Sequence, residues 1–214
     1  MRQNIKERKN KMKGKKVITY AVSFLVALGC VSAFPVTVKA DTGYEVYPNP
    51  HSMNYSDGDY EMTSQVNVVY EDGIDEDTKA RLNEVLALKS MNASVSSEKK
   101  AGKTNILVGV KGSKQYVDSQ FGTTSAGLFD KLDSYALKSD KGTISILGKD
   151  TDAAFYGLTS LYHIFKQVEG KTIRNFSIED YADVASRGFI EGYYGNPWST
   201  EDRCKLMEWG GYYK

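Results

Sequence analysis

The stretch RGFIEGYYGNPWSTEDR, at residues 187–203, decides the fold of this chain after its first domain. Phe189 and Ile190 lie in a short apolar run that suits a buried strand. Ser199 follows, and Asp202 stands three residues later, which is the spacing of a capping box at the start of a helix. The stretch therefore predicts a strand, a loop and a helix, which together make one β/α unit.

The loop of this unit combines flexible backbone with aromatic side chains. Gly192 and Gly195 bracket Tyr193 and Tyr194, so the chain can bend sharply while phenol rings line the approach of a ligand. Bare backbone beside aromatic rings suits a sugar, and the loop after a strand is where a β/α barrel builds its active site. The alternative is that the two glycines only turn a tight corner.

The same stretch closely resembles the opening of the catalytic barrel in family 84 glycoside hydrolases. These are β-N-acetylglucosaminidases that include clostridial hyaluronidase-like enzymes and protein O-GlcNAcases. Upstream, four segments resemble successive pieces of the α/β domain that precedes this barrel in bacterial members, namely YEVYPNP, TNILVGV, GTISILGKDTDAAFYGL and IEDYADV. The resemblance covers residues 44–214, which would be the N-terminal portion of such an enzyme.

The resemblance implies roles for individual residues of the loop. Gly192 matches the glycine whose main chain touches the terminal N-acetylglucosamine, and Tyr194 matches a tyrosine that lines the same pocket. Both are expected to bind substrate, and neither to carry a proton. In the family one aspartate polarises the substrate's acetamido group, whose oxygen attacks the sugar carbon, and its neighbour acts as acid and then base, so the configuration is retained. That pair lies further along, so no catalytic residue is expected in this chain, and Glu191 is interpreted as structural.

The first 40 residues have the composition of a secretory leader. Residues 1–16 carry eight Lys or Arg against one Glu, and residues 17–34 are almost wholly apolar. Cleavage is expected after Ala40, so that a secreted chain begins at Asp41. The alternatives are a retained signal anchor and a lipoprotein, but the apolar run continues past Cys30, which disfavours lipid attachment there. No stable membrane anchor is expected.

Charge and cysteine content narrow the class of protein further. Without the leader, 19 Lys or Arg face 26 Asp or Glu over 174 residues, a net charge of −7, which disfavours nucleic-acid binding. The partners that the resemblance implies are glycans or glycoproteins bearing N-acetylglucosamine. Cys204 is the only cysteine left, so no intramolecular disulfide can form. It is expected to be a small core residue in a helix packed through Leu206 and Met207.

The predicted fold class is α/β (α+β). A mixed-sheet domain packed with helices is expected at residues 41–183, followed at residues 184–214 by the first β/α unit of a truncated TIM barrel. β-branched and aromatic runs predict strands at residues 44–47, 66–70, 106–110, 135–137, 144–147 and 172–178. Apolar residues at helical spacing predict helices at residues 75–89 and 154–168.

Turn and ligand signals complete the prediction. SDGD at residues 56–59 predicts a hairpin between the first two strands, and DKG at residues 140–142 predicts another. The acidic run that begins at Asp75 is interpreted as a capped helix start and not as a calcium loop. His51 and His163 are interpreted as packed or surface residues, since two histidines support neither a zinc cluster nor a Ser/His/Asp triad. No metal ion and no cofactor is expected.

Two functional classes remain open at this point. The first is the N-terminal part of a secreted β-N-acetylglucosaminidase, with the residues printed here inactive by themselves. The second is a non-catalytic carbohydrate-binding or scaffolding module. Codons for an adjacent aspartate pair in the intact gene would favour the enzyme, and a stop codon there would favour the module.

Overall fold

The computed structural model describes residues 43–192 and 195–214, so the predicted leader and Tyr194 lie outside the described residues. The described chain contains seven strands: β1 Ser52–Glu61, β2 Gln65–Tyr70, β3 Asn92–Val95, β4 Thr104–Val110, β5 Tyr135–Asp140, β6 Thr143–Gly148 and β7 Thr172–Asp180. Its four α-helices are α1 Glu76–Ala87, α2 Tyr116–Phe121, α3 Thr151–Gln167 and α4 Thr200–Gly210, and one 3₁₀ turn covers Leu128–Asp130.

All seven strands form one mixed sheet in the order β1-β7-β5-β6-β4-β2-β3. The half that contains β1, β7, β5 and β6 is antiparallel, and β6, β4, β2 and β3 run parallel to one another. Parallel neighbours need crossover connections: α1 lies on the connection from β2 to β3, and α2 lies on the connection from β4 to β6. The α/β class and the mixed sheet are thus confirmed.

The main core lies between one face of the sheet and the helices α1 and α3. An aspartate caps the N-terminus of each helix. Asp75, the cap that the sequence predicts for α1, accepts a hydrogen bond from the Thr78 amide, and Asp150 accepts one from the Ala153 amide at the start of α3. The side chains that meet between the layers are buried and apolar, so the hydrophobic effect stabilises this face. They include Val66, Val68, Leu82, Val85, Ile106, Val108, Leu137, Ile144, Ile146, Leu158, Leu161 and Phe165.

The other face of the sheet is covered only locally. Val69 and Leu107 pack there against Val117 of α2 in a small second cluster. Beside them Asn67 and Asn105 are buried and joined by a side-chain hydrogen bond of 2.9 Å. Two buried amides that satisfy each other can occupy this layer without an unpaired polar group.

The N-terminal hairpin predicted from SDGD is wrong. Residues 44–47 form no strand, although Val46 is buried, and SDGD lies inside β1 as an irregularity between Tyr55 and Asp59 in the pairing of β1 with β7. Gly58 adopts a φ of +93°, which only glycine enters readily. The turn residues therefore make a bulge, and β1 lies at the sheet edge opposite β3.

The β/α unit at the C-terminal end is confirmed only in its helix. Ser199 caps α4 by accepting a hydrogen bond from the Asp202 amide, as the spacing predicts. The strand at Phe189 and Ile190 is wrong: these side chains are 52% and 99% exposed, and no strand within the described ranges pairs with them. A strand forms only where a neighbour accepts its backbone hydrogen bonds.

The packing predicted for α4 is also wrong. Cys204 is exposed, not a core residue, and Met207 is 64% exposed. No side chain of α4 is buried. The described helices include none with the combined length and apolar content that crossing a bilayer requires.

Candidate functional site

The loop that carries the predicted sugar-binding residues connects the end of β7 to α4. Gly192 lies in this loop with its main chain exposed, whereas Tyr194 falls outside the described residues. An exposed glycine leaves its amide and carbonyl accessible to a ligand, because no side chain covers them. Its assignment as a substrate contact stays a prediction, as does that of Tyr194.

Glu191 ties the loop to α4. Its two carboxylate oxygens accept hydrogen bonds from Nε and Nη2 of Arg203, at 2.8 and 3.0 Å. A two-point contact of this kind fixes the direction of a carboxylate and occupies both of its oxygens. The interpretation of Glu191 as a structural residue stays a prediction, and this contact with Arg203 is compatible with it.

A cavity of about 630 Å³ adjoins the same loop. Roughly 300–1,000 Å³ is usual for small-molecule sites, so its volume suits a sugar. Arg187 forms one wall: it donates a hydrogen bond of 2.5 Å to Asp133, and its guanidinium lies 5.4 Å from the centre of the Tyr156 ring. Burial raises the pKa of Asp152, which also lines the cavity. Phe189 lies on its border, three residues before Gly192.

A smaller cleft, of about 160 Å³, lies where β7 ends, and a buried carboxylate stands at its base. Asp180 accepts hydrogen bonds from the Tyr135 hydroxyl at 2.9 Å and from Lys214 Nζ at 2.8 Å. Its other oxygen accepts from the His51 amide at 3.2 Å and lies 2.9 Å from His51 Nδ1. The Tyr135 hydroxyl also bonds to Ser160 on α3 at 2.6 Å.

The protonation states in this cluster follow from burial and charge. Burial lowers the pKa of Lys214 and raises that of Tyr135 well above its usual range. Burial would raise the pKa of Asp180 as well, but the Lys214 charge and the hydrogen bonds outweigh burial and hold it below its usual value. The cluster is therefore an ion pair between Asp180 and Lys214 beside the neutral phenol of Tyr135. It links β5, β7 and Lys214.

His51 stands at the rim of the same cleft. Both ring nitrogens face carboxylate oxygens, Nδ1 that of Asp180 at 2.9 Å and Nε2 that of Asp183 at 3.2 Å. Carboxylates only accept hydrogen bonds, so this arrangement favours the doubly protonated ring. The Asp180 hydrogen bond accordingly raises the pKa of His51. The ring stacks on Tyr181 with 3.7 Å between ring centres, although His51 as a whole is exposed.

Sequence reasoning did not single out Asp180, Tyr135 or Lys214. A signal for Asp180 was present, because Phe176, Ile178 and Asp180 alternate along β7 and therefore face the same side. A carboxylate that continues a buried apolar stripe has to find partners inside the protein. Nothing in the sequence indicates that the partners are a tyrosine 45 residues earlier and a lysine 34 residues later.

Comparisons with known proteins show that both parts of the chain are similar to glycoside hydrolases. Residues 43–181 match the family described as glycosyl hydrolase family 20, domain 2, and residues 187–214 match the family described as beta-N-acetylglucosaminidase. The solved structure of CpGH84D is 46% identical over 79% of this chain, with a TM-score of 0.77. The structure of CpGH84B is 23% identical over 80% of it, with a TM-score of 0.66, which shows the fold alone. The chain spans 29% and 28% of the lengths of those two chains.

Proposed function

The chain belongs to the glycoside hydrolases, with a family 20 type second domain at residues 43–181 and a family 84-like N-acetylglucosaminidase portion after it, and we propose that it forms the N-terminal part of a retaining β-N-acetylglucosaminidase. The proposed substrate is terminal N-acetylglucosamine on glycans or glycoproteins. The observation that carries this proposal is the 46% identity to CpGH84D over 79% of the chain. The match of residues 187–214 to the beta-N-acetylglucosaminidase family supports the same activity.

The residues printed here supply binding and positioning in this proposal. Gly192 offers its main chain to the terminal sugar, Tyr194 lines the pocket, and Glu191 holds the loop against α4 through Arg203. The catalytic pair of adjacent aspartates that the family resemblance requires does not occur in the printed sequence. Residues 41–214 alone therefore lack the general acid, which is worth roughly 10²–10⁴-fold in rate.

The test is release of p-nitrophenol from its β-N-acetylglucosaminide. Purified residues 41–214 should show no turnover above background, and the product of the intact gene should hydrolyse the substrate. Glu191→Gln in the intact product should keep measurable activity, because Glu191 positions and does not donate a proton. In the same product Gly192→Val should raise KM, since a branched side chain would cover the exposed main chain. Turnover by residues 41–214 that disappears in Glu191→Gln would make Glu191 the acid and refute the assignment.

Secretion is the second part of the proposal. The basic start, the apolar centre and the small residues before Asp41 support removal of residues 1–40 on export. Protein collected from the culture medium should therefore begin at Asp41 when its N-terminus is sequenced. Membrane-bound protein with Met1 intact would contradict this and favour a retained anchor.

A further inference from the structure

A third concave surface, which we name the aromatic groove, shares no lining residue with the cavity beside the loop of Gly192 or with the Asp180 cleft. It has a volume of about 450 Å³ and runs between α3, the irregular N-terminal segment and the end of α4. Aromatic rings and polar tips share its walls, which are formed by Glu45, Tyr47, Tyr162, His163, Lys166, Gln167, Trp209, Tyr212 and Tyr213.

We propose that the aromatic groove binds a saccharide, with Trp209 and Tyr47 as the rings against which the sugar packs. Trp209 is 57% exposed and Tyr47 is 48% exposed, and both line the same concavity. Large aromatic surfaces left open to water mark interaction sites when they cluster. A pyranose ring has apolar C–H faces and a rim of hydroxyl groups, which matches rings that carry or adjoin polar groups.

The rings of the groove are held in place before any ligand arrives. Trp209 packs on Tyr213 with 4.7 Å between ring centres, and Tyr213 lies 5.8 Å from His163. On the other side Tyr162 packs on Tyr212 at 4.7 Å. Because these contacts order the rings in the free chain, binding would cost little further side-chain entropy.

The wall that carries Tyr47 is fixed by main-chain hydrogen bonds to α3. Gln167 accepts from the Glu45 amide at 2.8 Å and donates to the Glu45 carbonyl at 2.6 Å. The Tyr47 amide donates to His163 Nδ1 at 3.1 Å, which requires that nitrogen to be unprotonated. Burial lowers the pKa of His163, in agreement with this role.

Polar groups at the rim remain available for sugar hydroxyls. The Glu45 carboxylate accepts from the Tyr47 hydroxyl at 2.7 Å through one oxygen, and its second oxygen can accept another bond. Lys166 lies over the Tyr162 ring at 5.6 Å and makes no ion pair with a described residue. A donor and an acceptor beside exposed rings favour a hydroxylated ligand over a purely apolar one.

The experiment uses the two tryptophans of the chain as separate reporters. Trp198→Phe leaves Trp209 in the groove as the only tryptophan, and Trp209→Phe leaves Trp198 in the loop after Gly192. Each purified chain is titrated with N-acetylglucosamine and with its β-1,4-linked dimer while tryptophan emission is recorded. The choice of these sugars rests on the proposed function, whereas the groove's chemistry requires only a saccharide, so cellobiose is titrated as well.

The expected result is a saturable emission change in the Trp198→Phe chain. Adding Tyr47→Ala to that chain should weaken the fitted affinity at least about tenfold. Val95→Ala, which removes an exposed apolar side chain of β3 outside the groove, should leave the affinity unchanged. Circular dichroism of each variant checks that the fold is retained.

Three results would overturn the inference. The first is no change in Trp209 emission with any of the three sugars up to about 10 mM. The second is a change that follows chain concentration without sugar, since a second copy would then cover the groove. The third is a response of Trp198 alone, which would leave the proposed function standing without the groove. Conversely, a Trp209 response together with an inactive intact gene product would retain the groove and reject the proposed function.

Discussion

At the scale of single residues, Gly109 in β4 is confined by a buried carboxylate. A Cβ added there would lie 2.6 Å from Glu71 Oε2 and 2.7 Å from Val117 Cβ. Glu71 cannot move away freely, because its carboxylate accepts from the Val110 amide, the Ser113 hydroxyl and the Asp118 amide. These bonds brace the turn that leads into α2.

Gly109→Ala should therefore lower the free energy of unfolding by about 1–3 kcal/mol, the usual cost of overpacking a filled site. Urea unfolding followed by circular dichroism measures it. The matched control is Gly188→Ala, where an added Cβ meets nothing within 4 Å, and the free energy should change by less than about 0.5 kcal/mol. An equal effect at both positions would show that the Glu71 site is not the cause.

The pKa of His51 should lie above the usual histidine value of 6.5, and the pKa of His163 should lie below it. The hydrogen bond to Asp180 raises the pKa of His51, and burial lowers that of His163. The stability that His51 contributes is present below the unfolded value and is lost as pH rises through its folded pKa. His163 acts in the opposite sense: stability falls as pH drops below 6.5, because only the unfolded chain takes up the proton.

NMR titration of the two imidazole Cε1 protons measures both pKa values, and His51→Gln assigns the resonances. The His51→Gln chain should also lose the part of the stability decline that follows rising pH above 6.5. A His51 pKa at or below 6.5 would mean that its contacts with Asp180 and Asp183 do not persist in solution.

At the scale of elements, the helices α3 and α4 are stabilised differently: packing dominates in α3, and local interactions dominate in α4. Both helices have an oxygen side chain at the N-cap, Asp150 for α3 and Ser199 for α4. Ten residues of α3 are buried against the sheet, and none of α4 is. Most helical stability in proteins comes from packing of an apolar face, so α4 depends on its cap, its side-chain pairs and a few contacts at its end.

At the scale of the whole molecule, the last residues are attached to the sheet domain through Arg81 and Asp180. The Arg81 guanidinium lies between the Phe155 and Tyr212 rings, 4.6 and 4.2 Å from their centres, and donates to the Gly211 carbonyl at 3.3 Å. Lys214 forms the second attachment, because its Nζ donates a hydrogen bond to the Asp180 carboxylate at 2.8 Å. Between β7 and the end of α4, most side chains of the described residues are exposed.

Hydrogen exchange should divide the molecule accordingly. Amides of β4, β6 and α3 should exchange slowly, because they open only with the core, and amides of residues 184–208 should exchange fast. The amides of Gly211, Tyr212 and Tyr213 should fall between the two, since turn hydrogen bonds and the Arg81 contacts protect them. Equal protection of α3 and α4 would mean that α4 is packed in solution against a surface that the structure leaves open.

What the sequence determined by itself is local. The caps at Asp75 and Ser199, the helices α1 and α3 and the DKG hairpin follow from spacing and turn chemistry within about 20 residues, and the structure confirms them. The resemblance of whole segments to family 84 glycoside hydrolases could also be recognised from the sequence, and the comparisons confirm it. The roles of Gly192 and Tyr194 remain predictions.

Only the tertiary structure decided what depends on partners distant in sequence. SDGD reads as a turn, yet pairing with β7 makes it a bulge in an edge strand, and the polar β3 is a strand only because β2 bonds to it. Phe189 and Ile190 read as a strand and lack a strand partner among the described residues. The Asp180 carboxylate bonds to residues 34, 45 and 129 positions away, and the aromatic groove brings Glu45 and Tyr213 to one surface. A backbone amide or a buried charge is satisfied by whatever lies next to it in space, and spacing along the chain does not specify that neighbour.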